Sequence, residues 1–109
     1  MRRLKTRPEF LRVASGSSVR KHLVVIQGRD RADGQAHVGE GFTTTKKIGG
    51  AVVRNRARRR LRVISRELLP QFGRPGYDYV FIARAGTAGA PWERLLDDVK
   101  TALIRLHRD

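Results

Sequence analysis

Lys46-Lys47-Ile48-Gly49-Gly50-Ala51-Val52-Val53-Arg54-Asn55-Arg56-Ala57-Arg58-Arg59-Arg60-Leu61-Arg62 is the stretch on which the reading of this chain turns. Its two glycines break the preceding pattern, and a long helix is expected behind them, from Ala51 to Leu69, with Pro70 as its stop. Val53, Ala57, Leu61, Ile64 and Leu68 step by three or four residues. At about 100° per residue they share one apolar stripe roughly 80° wide. Arginines occupy nearly everything outside it. From Gly41 to Arg66 there are nine lysines and arginines and no acidic residue. A solvated helix gains from mixing signs at i and i+4, whereas like charges at that spacing repel. Such repulsion becomes favourable only opposite phosphates. Guanidinium groups also offer a planar fork to phosphate oxygens and can stack on bases, which lysine cannot. Asn55 sits among them, away from the stripe. It could read a base edge or a 2′-hydroxyl, or be a neutral surface residue. Lys46 and Lys47 precede the helix start, where free backbone amides also attract phosphate.

Working towards the N-terminus, Ala36–Thr45 reads as a strand anchored by Val38 and Phe42, with three threonines favouring extended backbone. Gly28–Gln35 is polar with two glycines and reads as a loop. Val19–Gln27, rich in Val, Ile and Leu, reads as another strand. These two strands are expected to form an antiparallel hairpin. Thr6-Arg7-Pro8-Glu9 has the form of a capping box with proline in the first turn. A short helix over residues 6–15 follows from it, with Phe10, Val13 and Ala14 on one face. Gly16 is its expected stop, through positive φ.

On the other side, Gly73–Gly76 is a tight connection, and Tyr77–Ala83 is a strand apolar on both faces, hence interior to a sheet. A last helix opens at Pro91, with Trp92, Leu95, Leu96, Val99, Leu103 and Leu106 along one side. The expected order is α-β-β-α-β-α in one domain spanning residues 1–109. No repeat or low-complexity tract interrupts it.

Composition narrows the partners. The chain carries 24 Lys and Arg against 10 Asp and Glu, a formal charge of +14. That charge would repel itself in a compact domain unless a polyanion neutralised it. Nucleic acid leads, with an anionic membrane surface a distant second. The absence of cysteine excludes disulfides and cysteine-ligated zinc. No apolar run approaches the roughly 18 residues of a membrane span, and the basic Met1–Arg7 leads into no apolar segment of a secretory signal. A cytoplasmic location is expected. His22, His37 and His107 lack metal-ligand spacing, and Asp97-Asp98 reads as a solvated pair on the last helix. The protein is therefore expected to carry neither catalytic groups nor a metal of its own.

The ordered series Gly41 to Arg62 resembles the signature of the protein subunit of bacterial ribonuclease P. That family has a strand ending in a Lys-Lys pair, a glycine turn and an Arg-Asn-Arg helix. Phe10 in a short first helix and a strand ending Ile82-Ala83-Arg84 agree, so the resemblance covers nearly the whole chain. It implies an α+β fold, a two-layer α/β sandwich like the second domain of ribosomal protein S5, with a left-handed βαβ crossover. The implied activity is endonucleolytic removal of the 5′ leader from precursor tRNA. Catalysis would reside in an RNA subunit that binds Mg²⁺. By position, Lys46, Lys47, Arg54, Asn55, Arg56, Arg58, Arg59 and Arg62 would contact that RNA or help order the site. Arg60, beside the apolar stripe, fits less well. Phe10, Phe42 and Arg84 would line a leader cleft, although both phenylalanines could equally be core aromatics. The implied partners are the catalytic RNA and precursor tRNA, without membrane or DNA, and the free protein is expected to be monomeric.

Three positions depart from the family pattern: Ala14 for an aromatic, Gly50 for Asn, and Glu40 for an apolar strand residue. The rival readings are a stand-alone RNA-binding or ribosome-associated protein, and a DNA-binding regulator. The regulator lacks a helix-turn element ahead of its basic helix.

Overall fold

The computed structural model describes residues 1–108. Its strands are β1 (Arg2–Arg3), β2 (Ser17–Arg20), β3 (Val24–Asp30), β4 (Gly39–Thr43) and β5 (Tyr77–Ala83), and its helices are α1 (Arg7–Ala14), α2 (Ala51–Phe72) and α3 (Trp92–Leu106). They form one mixed sheet in the order β1-β4-β5-β3-β2. β5 lies in the middle, parallel to β4 and antiparallel to β3. Its double-sided apolar character required that place.

The expected antiparallel hairpin does not form. β3 and β4 are separated by β5, and the connection between them bridges that gap. Arg31 holds the connection. Its guanidinium donates to Asp78 Oδ1 (2.8 Å), to Asp33 Oδ2 (2.9 Å) and to the carbonyls of Tyr77, Gln35 and His37. The strand expected over Val19–Gln27 is instead two strands. The chain reverses at Lys21–Leu23, where the Lys21 amide donates to the Val24 carbonyl (2.8 Å), and β2 pairs back on β3. Composition alone conceals this turn, because it contains neither glycine nor proline. β1 was not expected either. Its hydrogen bonds, Arg2 N–H to Val38 and Leu4 N–H to Glu40, add the N-terminus to the sheet beside β4.

Alternation along the strands divides the core. Tyr79, Phe81 and Ala83 of β5, with Val24 and Ile26 of β3, face α2 and α3. Val80 faces the other way, towards Leu4 and Val13, with Phe10 and Ile82 packed alongside. The α2 stripe seats as its spacing predicted, with Ala57, Leu61, Ile64 and Leu68 buried and Val53 half-buried. α2 runs through Pro70 to Phe72 rather than stopping before it. Proline removes one amide donor, but Pro70 and the Arg66 carbonyl's own residue are exposed, while burial of Leu68 and Leu69 holds the last turn.

α1 lies across the opposite face with the expected capping box. Gly16 ends it for a reason other than positive φ. Ser15 is the cap residue, and a Cβ on Gly16 would strike the Gly28 carbonyl of β3. Ala14 is exposed rather than sharing the packed face of Val13. Near the C-terminus, Tyr79 Oη accepts the Arg74 amide (2.9 Å) and lies 2.6 Å from His107 Nε2. Burial pushes the Tyr79 pKa up to about 12 and lowers that of His107 from its ordinary value. Asp98 is likewise no free surface acid, since it accepts the Leu23 amide (3.0 Å).

The capping box has a pH consequence. Amides of Lys5 and Thr6 hold the Glu9 carboxylate at about 2. A carboxylate depressed in the folded state stabilises the fold above its unfolded pKa, and that contribution fades as pH falls through the folded value. Glu9→Gln is expected to cost about 1 kcal/mol near neutrality. The difference from the parent should vanish between roughly pH 4.5 and pH 2, as read by thermal unfolding against pH.

Candidate nucleic-acid interface

Seating the apolar stripe of α2 fixes where every arginine points. With 3.6 residues per turn, residues four apart drift slowly round the helix. Arg54, Arg58, Arg62 and Arg66 therefore form a ridge along the flank nearer β4. Asn55, Arg56 and Arg59 stand on the crest opposite the core, and all three are exposed. Asn55, Arg58, Arg59 and Arg62 line a shallow cavity of about 370 Å³. On the other side of the crest Val52, Arg56, Arg59 and Arg60 line one of about 430 Å³. Arg59 borders both, so a strand of phosphates could straddle the crest and meet guanidinium groups on either side.

Arg58 is held in place. Its Nη1 donates to Asn55 Oδ1 (3.1 Å) and its Nη2 to Thr44 Oγ1 at the end of β4 (2.6 Å). A guanidinium already oriented loses less freedom when it engages phosphate. Asn55 thus serves as an orienting acceptor, and its amide nitrogen stays free to donate. Thr44 was missed in the sequence, where nothing marks a contact fourteen residues away.

Arg60 points elsewhere. Nη1 donates to the Thr87 carbonyl (2.6 Å), Nη2 to the Ala90 carbonyl (2.5 Å), and the guanidinium lies 5.5 Å from the centre of the Trp92 ring. It fastens the Gly86–Ala90 loop and the start of α3 to α2. Its burial also lowers its pKa. One of the arginines in this run is thus a structural clamp.

Lys46 and Lys47 are exposed on a 3₁₀ turn (Lys46–Ile48), while Ile48 packs inward against the core. Gly49 follows at φ 144°, and a Cβ there would press on Val53. Gly50 caps α2 without a side-chain bond, which leaves the first-turn amides open beside the lysines.

The three candidates for a leader cleft do not come together. Phe10 lies on the α1 side, against Gly41, whose missing Cβ makes room for the ring. Phe42 faces the opposite way. It pairs in register with Phe81 and stacks on it at 5.5 Å, half-buried against the core beneath α2. The parity of one strand excludes it from any surface that includes Phe10. Arg84 follows β5, half-buried, its amide donating to Thr87 Oγ1 (2.8 Å). Register instead puts Val25, Gln27, Thr43 and Ile82, all half-buried, on the α1 side with Phe10. Alternation could have flagged these residues, but only once the strand pairing was known.

Comparison with known proteins agrees with this geometry. The profile of the family described as Ribonuclease P matches residues 1–107. The chain belongs to the ribonuclease P protein family. The ribonuclease P protein component of Caulobacter vibrioides is 57% identical over 107 residues, covering 98% of this chain and 72% of that one. That of Ruegeria pomeroyi is 46% identical over 106 residues, covering 95% and 85%. The same fold is seen in the ribonuclease P protein of Thermotoga maritima, with a TM-score of 0.82 at 24% identity over 99% of this chain and 100% of that one. The Staphylococcus aureus protein gives 0.80 at 23%, over 94% and 93%.

Two groups of arginine are thus separable within the ribonuclease P signature. Replacing Arg54, Arg58 and Arg62 by Ala should flatten the dependence of RNA affinity on salt by up to roughly 2.7 units of slope, at about 0.7 to 0.9 per phosphate contact. Arg60→Ala should leave that slope unchanged and cost about 2 kcal/mol of stability through its lost charged hydrogen bonds. Titrations at several salt concentrations, paired with thermal unfolding, separate the two.

Proposed function

We propose that this chain is the RNA-docking subunit of a ribonuclease P ribonucleoprotein that removes the 5′ leader of precursor tRNA. The observation that carries this reading is the acid-free arginine ridge and crest of α2, seated on the sheet of a ribonuclease P protein fold. Arg54, Asn55, Arg56, Arg58, Arg59 and Arg62, with Lys46 and Lys47, neutralise phosphates of the catalytic RNA. Binding of this kind supplies affinity and fixes orientation, and it depends steeply on salt. On the opposite face Phe10 and Ile82 offer apolar surface and Thr43 and Gln27 offer hydrogen bonds, and Arg84, just beyond β5, would add charge. An extended single strand of the leader fits such a surface, with bases against Phe10 and phosphates towards arginine. Phe42 has no part in it.

Bond cleavage is assigned to the RNA subunit and the Mg²⁺ it binds. Among the described residues no group of three or more His, Asp or Glu is placed to hold a metal ion. Its contribution is to hold two RNAs in a fixed relation, which lowers the entropic barrier of the reaction. Among the described residues no helix is long and apolar enough to cross a membrane. We place the protein in the cytoplasm, monomeric until it meets RNA, with no DNA partner.

Reconstitution tests this reading. At low Mg²⁺, adding the protein to a bacterial ribonuclease P RNA is expected to accelerate leader removal from precursor tRNA. Unchanged cleavage would return the chain to a stand-alone RNA-binding or ribosome-associated role.

A further inference from the structure

The N-terminal segment ends beside α2 for a structural reason. Leu4 is buried under α1, and the amides of Arg2 and Leu4 bond to β4. Alternation then sends Arg2 to the α1 side, where it meets Glu9 at 3.3 Å. Arg3 goes the other way. It pairs in register with Glu40, whose side chain turns towards α2 and accepts from Ser65 Oγ at 2.6 Å. Met1, Arg3, Lys5, Glu40 and Arg66 together line a cavity of about 460 Å³ that opens to solvent.

This cavity is cationic beyond what the fold requires. Among the described residues, ion pairs within 4 Å are confined to Arg2–Glu9, Arg31–Asp33 and Arg31–Asp78. Arg3, Lys5, Arg62 and Arg66 have no such partner, and their side chains make none of the hydrogen bonds that fix Arg58 and Arg60. Arg62 Nε is buried without an acceptor. Burial depresses the Arg62 pKa, and Arg3, Arg58 and Arg66 depress it further, with Glu40 the only opposing charge. Three guanidiniums thus crowd a fourth, and one carboxylate, 5% exposed, cannot balance them. Like charges gathered without hydrogen-bond acceptors raise the free energy of the unbound protein, and an anion relieves it. The crowding is also continuous with the α2 ridge, since Arg62 lines the ridge cavity with Arg58 and is within electrostatic reach of Arg66 and Arg3.

We propose that this cavity is a second phosphate site, in which Arg3, Lys5 and Arg66 bind the backbone of the same RNA subunit that engages the α2 ridge. The interface then runs from the 3₁₀ turn along α2 and off the edge of the sheet onto β1. The assignment to the RNA subunit rests on the function proposed above. It follows from continuity, because a phosphate track along Arg54, Arg58 and Arg62 leads directly into the cavity.

The test uses the full chain with Arg3→Gln, Lys5→Gln and Arg66→Gln, titrated against the ribonuclease P RNA subunit at several salt concentrations. Slope should fall by roughly 1.4 to 2.7 units, from two or three lost contacts at about 0.7 to 0.9 each. A control with Arg20→Gln, Arg94→Gln and Arg105→Gln removes the same charge elsewhere and should lose far less. Equal losses in the two variants would overturn the site in favour of net charge alone. An unchanged slope in the cavity variant would overturn it too. If the Arg54, Arg58 and Arg62 variant still loses slope, the function proposed above survives that failure. If neither variant loses slope, that function fails as well. Titration with precursor tRNA alone identifies the source, and a loss confined to precursor tRNA would overturn the assignment to the RNA subunit. Should the triple variant unfold, Lys5→Cys carrying a photoreactive group gives an independent reading. Adducts with the RNA subunit support the site, and their absence overturns it.

Discussion

The seating of α2 on the β4–β5 pair is the constraint from which the rest of this protein follows. Ala57, Leu61, Ile64 and Leu68 sink into the face formed by Phe42, Phe81 and Tyr79. Burying such side chains contributes about 1.5 to 3 kcal/mol each for the larger ones. That gain has to outweigh the repulsion of a helix with nine lysines and arginines in and before it and no acid until Glu67. Rotating α2 by one residue would turn a guanidinium into the core and misdirect every other one. The binding surface is therefore specified by the apolar side of the helix as much as by its charges.

Much of this was legible in the chain itself, because it depended on local spacing. The α2 stripe, the capping box at Thr6–Glu9 and the double-sided apolar run of β5 are patterns within a few turns or residues. What stayed hidden depended on partners distant in sequence. Nothing local says that β5 inserts between β3 and β4, so the expected hairpin followed the commoner rule that consecutive strands pair. Phe42 shows the cost at the level of a site. Its place in a motif drew it towards the cleft, whereas the parity of one strand buries it on Phe81. Arg60 shows the same from the other direction. Within a run of arginines its role was set by carbonyls at Thr87 and Ala90, which no spacing rule reaches.

Glu40 illustrates how a departure from pattern can be accommodated. A carboxylate at a commonly apolar strand position stays buried because Ser65, on the inner face of α2, donates to it. The pair makes the register of β4 against α2 chemically explicit, since a slip of one residue would leave a buried acid without its hydroxyl. It also places one negative charge beneath a cluster of guanidiniums, and so affects the interface although Glu40 itself is hardly exposed.

The strand order bears on the protein's birth. β5, the centre of the sheet, is the last of its strands to be synthesised. Until residues 77–83 have left the ribosome, β4 lacks its main neighbour, β3 is paired only with β2, and the apolar stripe of α2 has no floor. The nascent chain at that stage exposes both an unpaired strand edge and every arginine of α2, and incomplete domains with such edges are prone to aggregate. The sheet is thus completed only once β5 has emerged, in a setting crowded with ribosomal RNA.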